Sequence, residues 1–235
     1  MKIWVTRPEP EGSALAAKLA DQGHDVTNIP LLTIEGRSPD LWRPLFLAST
    51  AENLIFVSKN AVRYFFVGAL PDPEQMLWAV GPGTARVLAN ACPSTKLIIF
   101  PANAEGSEAF LALPQLKSIA GKRFTIISGT QGRDLICETL RARGAEVNIL
   151  AVYDVQNANL STADNAALQQ NYDLIIATST SALRLIQQWN IDPHAMVSVL
   201  SKNMLDLAAQ CGFQSFLLLK TGSDEEILKR VGEMA

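Results

Sequence analysis

The sequence has few cysteines and histidines, the two residue types that most often build metal sites and disulfides. Among 235 residues there are 3 cysteines, widely spaced, and 2 histidines. An odd number of widely spaced cysteines argues against a disulfide framework and against a cysteine-based zinc site. His24 and His194 would need several carboxylates to hold a metal, so we interpret both as surface residues and expect no metal site.

Long apolar runs and clusters of positive charge are also missing. The longest uncharged stretch, residues 207–219, is well short of the roughly 20 apolar residues that a membrane span needs. No apolar core of a secretory signal follows Lys2. The 20 lysines and arginines are outnumbered by 23 acidic residues and never form a long basic run, so the sequence has no basic segment that would bind nucleic-acid phosphates. We expect a cytoplasmic protein with a small-molecule ligand and neither a membrane nor a nucleic-acid partner.

Nucleotide-binding loops are absent from the sequence as well. The segment 81–84 lacks the spacing of a phosphate-binding P-loop, and the dinucleotide pattern G-x-G-x-x-G fails because position 86 is arginine. Neither ATP nor NAD is indicated, and we expect no cofactor.

Short apolar runs alternate with amphipathic segments from one end of the chain to the other. Residues 54–57, 124–127 and 174–177 are examples, each followed by a turn and then by apolar residues at helical spacing. Repeated strand, turn and helix segments predict an α/β fold, with parallel sheets covered by helices on both faces.

The chain also repeats itself. Leu15, Leu19, Gly23 and Val26 recur as Ile136, Leu140, Gly144 and Val147, each 121 positions later. Residues 53–58 likewise resemble residues 173–178. Since all α/β units look somewhat alike, the resemblance could be generic, but the constant order favours two copies of one doubly wound, flavodoxin-like unit.

Two segments have the composition of linkers, residues 36–39 and the polar stretch 154–165. One domain would then be discontinuous and built from both chain ends. We expect domain 1 at residues 1–35 with 157–235, domain 2 at residues 38–151, and linkers near 36–37 and 152–156 that act as a hinge.

Hydroxyl-bearing residues, several beside a lysine or arginine, stand where predicted strands end and helices begin. In a parallel sheet these ends share one edge, where free N–H groups at helix starts attract anions. Serine, threonine and asparagine are also ordinary helix N-caps, which is the alternative for each position taken singly. Two such edges facing across a cleft would hold a large polyanion. The candidate ligand-binding residues are Thr6, Arg7, Ser58, Lys59, Asn60, Thr84, Ser128, Gly129, Arg133, Thr178, Ser179, Ser181 and Ser201.

Several short motifs follow one another in a fixed order. They are Val5-Thr6-Arg7-Pro8, Ser58 with Asn60-Ala61-Val62, Gly81 with Thr84-Ala85, Ser128-Gly129 with Gly132-Arg133, Val152-Tyr153, and Thr178-Ser179 with Ser181-Ala182. Together they resemble the uroporphyrinogen-III synthase family over essentially the whole chain. Ala61 and Ala182 join the substrate-binding candidates through their motif positions.

The resemblance implies two α/β domains joined by a two-stranded linker, and a cofactor-independent hydro-lyase of heme biosynthesis. Its substrate would be hydroxymethylbilane, a linear tetrapyrrole whose acetate and propionate groups suit anion-binding strand ends. The enzyme would close the ring with loss of water and invert the last pyrrole, giving uroporphyrinogen III. We expect the protein to be a monomer.

Tyr153, in the Val-Tyr motif, is the catalytic candidate that the resemblance implies. Its hydroxyl would hydrogen-bond the leaving hydroxyl of the substrate. The alternative is that Tyr153 is an aromatic residue that only packs at the hinge.

Two positions depart from the family pattern. A competing hypothesis for the function also remains. Lys59 stands where proline is common, and Ser201 lies in a segment without the Gly-x-x-Thr spacing of Gly81 and Thr84, which leaves the role of Ser201 open. The competing hypothesis is a non-enzymatic, two-lobed cytoplasmic binding or sensor protein for an anionic small molecule.

Overall fold

The structure, a computed structural model, describes residues 1–95, 97–102, 106–131, 135–189, 192 and 194–234. Its strands and helices, in chain order, are β1 (Lys2–Val5), α1 (Glu11–Asp21), β2 (Asp25–Asn28), β3 (Leu32–Gly36), α2 (Pro39–Ala48), β4 (Asn53–Phe56), α3 (Lys59–Gly68), β5 (Met76–Ala79), α4 (Pro82–Ala91), β6 (Ile98–Ile99), α5 (Ser107–Leu111), a 3-10 turn (Pro114–Leu116), β7 (Arg123–Gly129), α6 (Leu135–Ala142), β8 (Glu146–Asn157), α7 (Thr162–Ala167), β9 (Leu174–Ile176), α8 (Thr180–Ile186), β10 (Met196–Val199), α9 (Lys202–Gln210), β11 (Ser215–Leu218) and α10 (Asp224–Gly232). No helix within these described ranges is long and apolar enough to cross a membrane.

The chain forms two compact units. The first contains residues 1–33 and 156–235, and the second contains residues 34–155. The chain passes from one unit to the other inside β3 and inside β8, which are neighbours in the sheet order. The segments expected near 36–37 and 152–156 as linkers therefore lie at the end of β3 and within β8.

Parallel pairing dominates both sheets, which confirms the predicted α/β fold class. The first sheet has the order β11-β10-β9-β1-β2, and the second has the order β6-β5-β4-β7-β8 with β3 added beside β8. The strand pairs within each group of five are parallel. In such doubly wound sheets, ligands bind at the carboxyl ends of the strands.

The sequence repeat and the two units do not coincide. Pairs in one sheet have counterparts 121 positions away in the other: Lys2 with Asp25 and Arg123 with Glu146, and likewise Ile3 with Leu174 and Asn53 with Phe124. The first copy supplies β1 and β2 to the first unit but β4, β5 and β6 to the second, and the second copy does the reverse. Each unit thus combines parts of both copies.

The core of each unit lies on both faces of its sheet, because helices cover both. In β1, Ile3 and Val5 pack into one buried cluster while Trp4 packs into another. In β4, Phe56 and Ile55 divide in the same way between two clusters of the second unit. Alternate residues of a strand point to opposite faces, so burial of both faces explains the continuous apolar runs in the sequence. Because both faces of each sheet are apolar and buried, polar side chains that could bind a ligand lie at the ends of the strands.

Candidate functional site

Two hydroxyl groups meet at the carboxyl edge of the second sheet. Ser58 follows β4 and is the N-cap of α3, where its Oγ accepts a hydrogen bond from the Ala61 N–H at 3.0 Å. The same Oγ lies 3.1 Å from the phenolic oxygen of Tyr153. Tyr153 is therefore brought to the strand-end edge that the sequence predicted, beside another candidate residue.

A shift in strand register directs Tyr153 to this position. Strand β8 pairs regularly with β7 until Ser128 faces Ala151, after which Gly129 faces Tyr153 and Val152 is passed over. Val152 and Tyr153 are adjacent, yet both pack into the same buried cluster. In a regular strand they would point to opposite faces, so this irregularity is what re-aims the tyrosine.

The ring of Tyr153 is enclosed and 7% exposed. Gly129 lies against it, and a Cβ there would be 2.6–3.0 Å from three ring carbons. The ring of Tyr64 on α3 also packs beside it, with centroids 5.9 Å apart. Tyr64 is itself held, because its hydroxyl donates to the Ile34 carbonyl at 2.8 Å. Only glycine at position 129 leaves room for the tyrosine ring.

The neighbouring polar side chains at the end of β7 form hydrogen bonds with other groups of the protein. The Ser128 hydroxyl donates to the Gly129 carbonyl at 3.0 Å. Thr130 donates through its N–H to the Tyr153 carbonyl and through its hydroxyl to Asp154. The two Thr130 bonds hold the chain just after β7 against β8, where the tyrosine turns inward.

A cation lies beside the starts of two helices at the same edge. Lys59, the first residue of α3, is exposed, and its Cε would be 3.3 Å from a Cβ placed on Gly83 in the first turn of α4. Thr84 is buried in that turn. Each helix start attracts a carboxylate by about 0.3–1 kcal/mol, and Lys59 adds a full positive charge. Asn60 accepts a hydrogen bond from Arg63 at 3.1 Å.

In the first unit the corresponding hydroxyls act as helix caps. Ser179 caps α8 by accepting from the Ala182 N–H, and Ser201 caps α9 by accepting from the Met204 N–H. Thr178 is half-buried and Ser181 is exposed. Both caps are ordinary N-cap geometry.

Ser201 has a clear counterpart in the second unit. It occupies the N-cap position that Gly81 occupies before α4, and the buried Met204 stands where Thr84 stands in the other copy. A thioether thus stands in place of the threonine, and the serine hydroxyl lies at the cap.

Thr6 and Arg7 form internal bonds at the carboxyl end of β1. The Thr6 hydroxyl donates to the Ile176 carbonyl at 3.0 Å. Arg7 is 7% exposed and donates to Asp224 at 2.7 Å and to the Gly222 carbonyl. These groups tie β1 to β9 and to the start of α10.

The charges around Asp224 favour its ionised form. Burial raises the pKa of Asp224, but the hydrogen bonds and charges of Lys18 and Arg7 together outweigh burial and hold that pKa below its usual value. Burial lowers the pKa of Arg7, opposed by Asp224 and Glu11. Asp224 was absent from the predicted site because it lies 217 residues from Arg7, beyond any local pattern.

Arg133, predicted to bind substrate, lies outside the described residues. Among the residues that the structure describes, there is no group of three or more histidine, cysteine, aspartate or glutamate side chains that could hold a metal ion.

Like Asp224, Tyr64 was not among the residues predicted from the sequence, since nothing in the sequence marks one aromatic residue of an amphipathic helix as the neighbour of Tyr153.

The fold is that of a doubly wound α/β protein, a class in which small molecules bind at the carboxyl edge of a parallel sheet, where these strand-end hydroxyls lie. Comparison with known proteins is more specific. A family model described as uroporphyrinogen-III synthase HemD matches residues 13–216. The uroporphyrinogen-III synthase of Escherichia coli K12 is 30% identical over 97% of this chain and 99% of its own length. That of Proteus mirabilis is 34% identical over 65% of this chain and 79% of its own length. The chain belongs to the uroporphyrinogen-III synthase family.

Solved structures agree in fold. The uroporphyrinogen-III synthetase of Helicobacter pylori has a TM-score of 0.66 at 15% identity, covering 100% of this chain and 99% of its own. A mutant uroporphyrinogen III synthase of Thermus thermophilus has a TM-score of 0.63 at 16% identity, covering 100% of both chains.

The clash at Gly129 gives a stability prediction. Gly129→Ala is expected to lower the free energy of unfolding by about 1–3 kcal/mol, because the new methyl group must displace the buried ring of Tyr153. In a Tyr153→Ala background the same change is expected to cost much less, since the ring is gone. Urea unfolding of the four proteins measures the difference. Gly232→Ala, where a Cβ meets nothing within 4 Å, is the control and should be neutral or slightly stabilising. Equal costs of Gly129→Ala in the two backgrounds would contradict the packing.

The charges around Asp224 give a pH prediction. A carboxylate with a lowered folded-state pKa contributes stability above its unfolded pKa of about 3.9, and this contribution is lost as pH falls through the folded pKa. Asp224→Asn should therefore lower the free energy of unfolding by about 1–3 kcal/mol at pH 7 and by progressively less below about pH 4. Urea unfolding as a function of pH measures this. The exposed Asp206→Asn is the control, and a loss for Asp224→Asn that does not depend on pH would contradict the charge pairing.

Proposed function

We propose that the protein is a hydro-lyase that converts hydroxymethylbilane to uroporphyrinogen III, with loss of water and inversion of the last pyrrole ring. Family membership supports the reaction, because the relatives are uroporphyrinogen-III synthases. The observation that carries the proposal is the Tyr153 and Ser58 hydroxyl pair at the carboxyl edge of the second sheet. We further propose that the enzyme works in the cytoplasm as a monomer.

The substrate is a polycarboxylate, and both sheets offer groups that suit carboxylates. We propose that the polar groups left open at the strand ends bind it, together with the N–H groups of the adjacent helix starts. Lys59 is an exposed cation of this set. The internally bonded Thr6 and Arg7 would contribute by holding the end of β1 in place. Of the residues predicted from the sequence, those proposed to bind substrate are Thr6, Arg7, Lys59, Asn60, Ala61, Thr84, Ser128, Gly129, Arg133, Thr178, Ser179, Ser181, Ala182 and Ser201, whereas Ser58 contacts Tyr153.

The first chemical step is departure of the terminal hydroxyl of the substrate. The carbon–oxygen bond breaks, its electron pair goes to oxygen, and the Tyr153 phenol supplies the proton, so that water leaves. An azafulvene cation and a phenolate remain. Before this proton moves, the Tyr153 hydroxyl donates a hydrogen bond to the leaving oxygen, and this bond strengthens as negative charge grows on that oxygen.

The second requirement is control of conformation. Almost any pyrrole carbon can attack the cation, and unguided closure gives the symmetrical type I isomer. Attack at the substituted carbon gives a spiro intermediate, which rearranges to the type III product as a pyrrole proton returns to the phenolate. Positioning of this kind can contribute on the order of 7–11 kcal/mol. The steps balance in protons and involve no change of oxidation state, so we propose that no cofactor is needed.

Incubation with freshly generated hydroxymethylbilane tests the function. We expect the type III isomer, separated from type I by chromatography, and unchanged activity after dialysis against a chelator. The type I isomer alone, with tight binding of the bilane, would instead favour a binding or sensor protein. Complete loss of activity that zinc restores would contradict the cofactor-independent reaction.

Tyr153→Phe tests the catalytic residue. It removes the phenolic hydroxyl and keeps the ring, so turnover should fall by about one to three powers of ten, as for other positioned donors, with little change in stability. More type I isomer should form because unprocessed bilane closes unaided. Tyr172→Phe, which removes a hydroxyl bonded to the Ala167 carbonyl in the first unit, is the matched control and should keep full turnover. Full turnover of Tyr153→Phe would assign Tyr153 to packing.

A further inference from the structure

The hydrogen-bonding capacity of the Ser58 and Tyr153 pair is limited. A serine hydroxyl has one proton and two acceptor lone pairs, and a phenol has one proton. The Ser58 Oγ already accepts the Ala61 N–H, which fixes the oxygen at the start of α3. The contact with Tyr153 at 3.1 Å uses either the serine proton or the tyrosine proton, but not both.

The proposed reaction decides between these two arrangements. If Tyr153 donates to the leaving hydroxyl of the substrate, its single proton is not available for Ser58. The serine proton must then point to the phenolic oxygen. We propose that Ser58 is a positioning residue, which donates to Tyr153 and turns the phenol proton outward to the substrate. This inference rests on the proposed function, and it makes Ser58 act through Tyr153 rather than as a direct ligand of the substrate.

The same hydrogen bond has an electrostatic consequence. As the phenol gives up its proton, negative charge develops on an oxygen that the Ser58 O–H already faces. Ser58 keeps its own proton throughout, so the step remains balanced: one O–H bond breaks on Tyr153 and one forms on the departing water. A hydrogen bond to a group that gains charge is stronger than one to a neutral group.

The surroundings hold the pair in this arrangement. Tyr64 and Gly129 enclose the tyrosine ring, and the cap bond to Ala61 holds the serine oxygen. The serine and Tyr64 both belong to the α3 segment, so one helix sets the position of the ring and of its hydroxyl partner.

Three substitutions at position 58 separate this role from helix capping. Ser58→Thr keeps both the cap and a proton donor. Ser58→Asp keeps the cap, because aspartate caps as well as serine, but the carboxylate has no proton to donate and would accept a hydrogen bond from the Tyr153 hydroxyl. Ser58→Ala loses both functions. We expect kcat close to that of the wild type for Ser58→Thr. For Ser58→Asp and Ser58→Ala we expect kcat roughly 10- to 100-fold lower, with KM nearly unchanged.

The double variant is the decisive measurement. In a Tyr153→Phe background, Ser58→Ala should lower kcat no further, because the hydroxyl through which Ser58 acts is absent. An equal fold loss in both backgrounds would overturn the proposal and make Ser58 a direct substrate ligand. Wild-type kcat for Ser58→Asp would also overturn it. Ser161→Ala, which removes the cap of α7, controls for loss of a helix cap and should leave kcat unchanged.

A measurement without substrate keeps the proposal distinct from the proposed function. The chain has 3 tyrosines, so the Cζ resonance of Tyr153 in 13C-tyrosine-labelled protein is assigned by its loss in Tyr153→Phe. This resonance should shift in Ser58→Ala and Ser58→Asp, and should not shift in Ser161→Ala. Failure of the wild type to form the type III isomer would defeat the proposed function while leaving this test valid. An unmoved resonance in both Ser58 variants would overturn the hydroxyl contact itself.

Discussion

The shift in register between β7 and β8 is the constraint on which the site depends. With regular pairing beyond Ser128, Val152 would face Gly129 and the tyrosine would point to the opposite face of the sheet. Because the register shifts, Tyr153 lies over a residue without a side chain and reaches Ser58 at the end of β4. Val152 is buried in the same cluster as Tyr153, whereas regular pairing would place the two side chains on opposite faces of the sheet.

The two units share a strand order but differ in chemistry, and the sequence repeat explains why. The residue 121 positions before Tyr153 is Leu32, which has no hydroxyl, so the first unit has no equivalent of the pair. The long strand β8 also corresponds to the two strands β2 and β3 of the first copy, which are separated at Ile29, Pro30 and Leu31. Proline has no N–H for a strand ladder, and Ala151 stands at the equivalent position in β8. In the first unit the strand end is instead held by the Arg7 and Asp224 pair.

The sequence predicts the fold class and the hydroxyls at the strand ends, but not the register shift or the long-range contacts of the site, for physical reasons. Apolar strands buried on both faces leave a clear pattern, which is why the parallel α/β class could be predicted from runs such as residues 54–57. Hydroxyls at strand ends also leave a local pattern, and Ser58 was found by it. A register shift leaves no such pattern, because it depends on how two strands pair across the sheet. The ring of Tyr64 beside Tyr153 and the carboxylate of Asp224 beside Arg7 were missed for the same reason: each contact joins residues far apart in the chain.

A structure with a bound, unreactive substrate analogue tests the central claim most directly. A bilane with a terminal formyl group keeps an oxygen at the reacting carbon but has no hydroxyl to lose. We expect the Tyr153 phenolic oxygen at a hydrogen-bond distance of about 2.7–2.8 Å from the formyl oxygen, while Ser58 remains in contact with Tyr153. A formyl oxygen bound beyond hydrogen-bond distance of Tyr153 would contradict the role of this phenol as donor to the leaving hydroxyl.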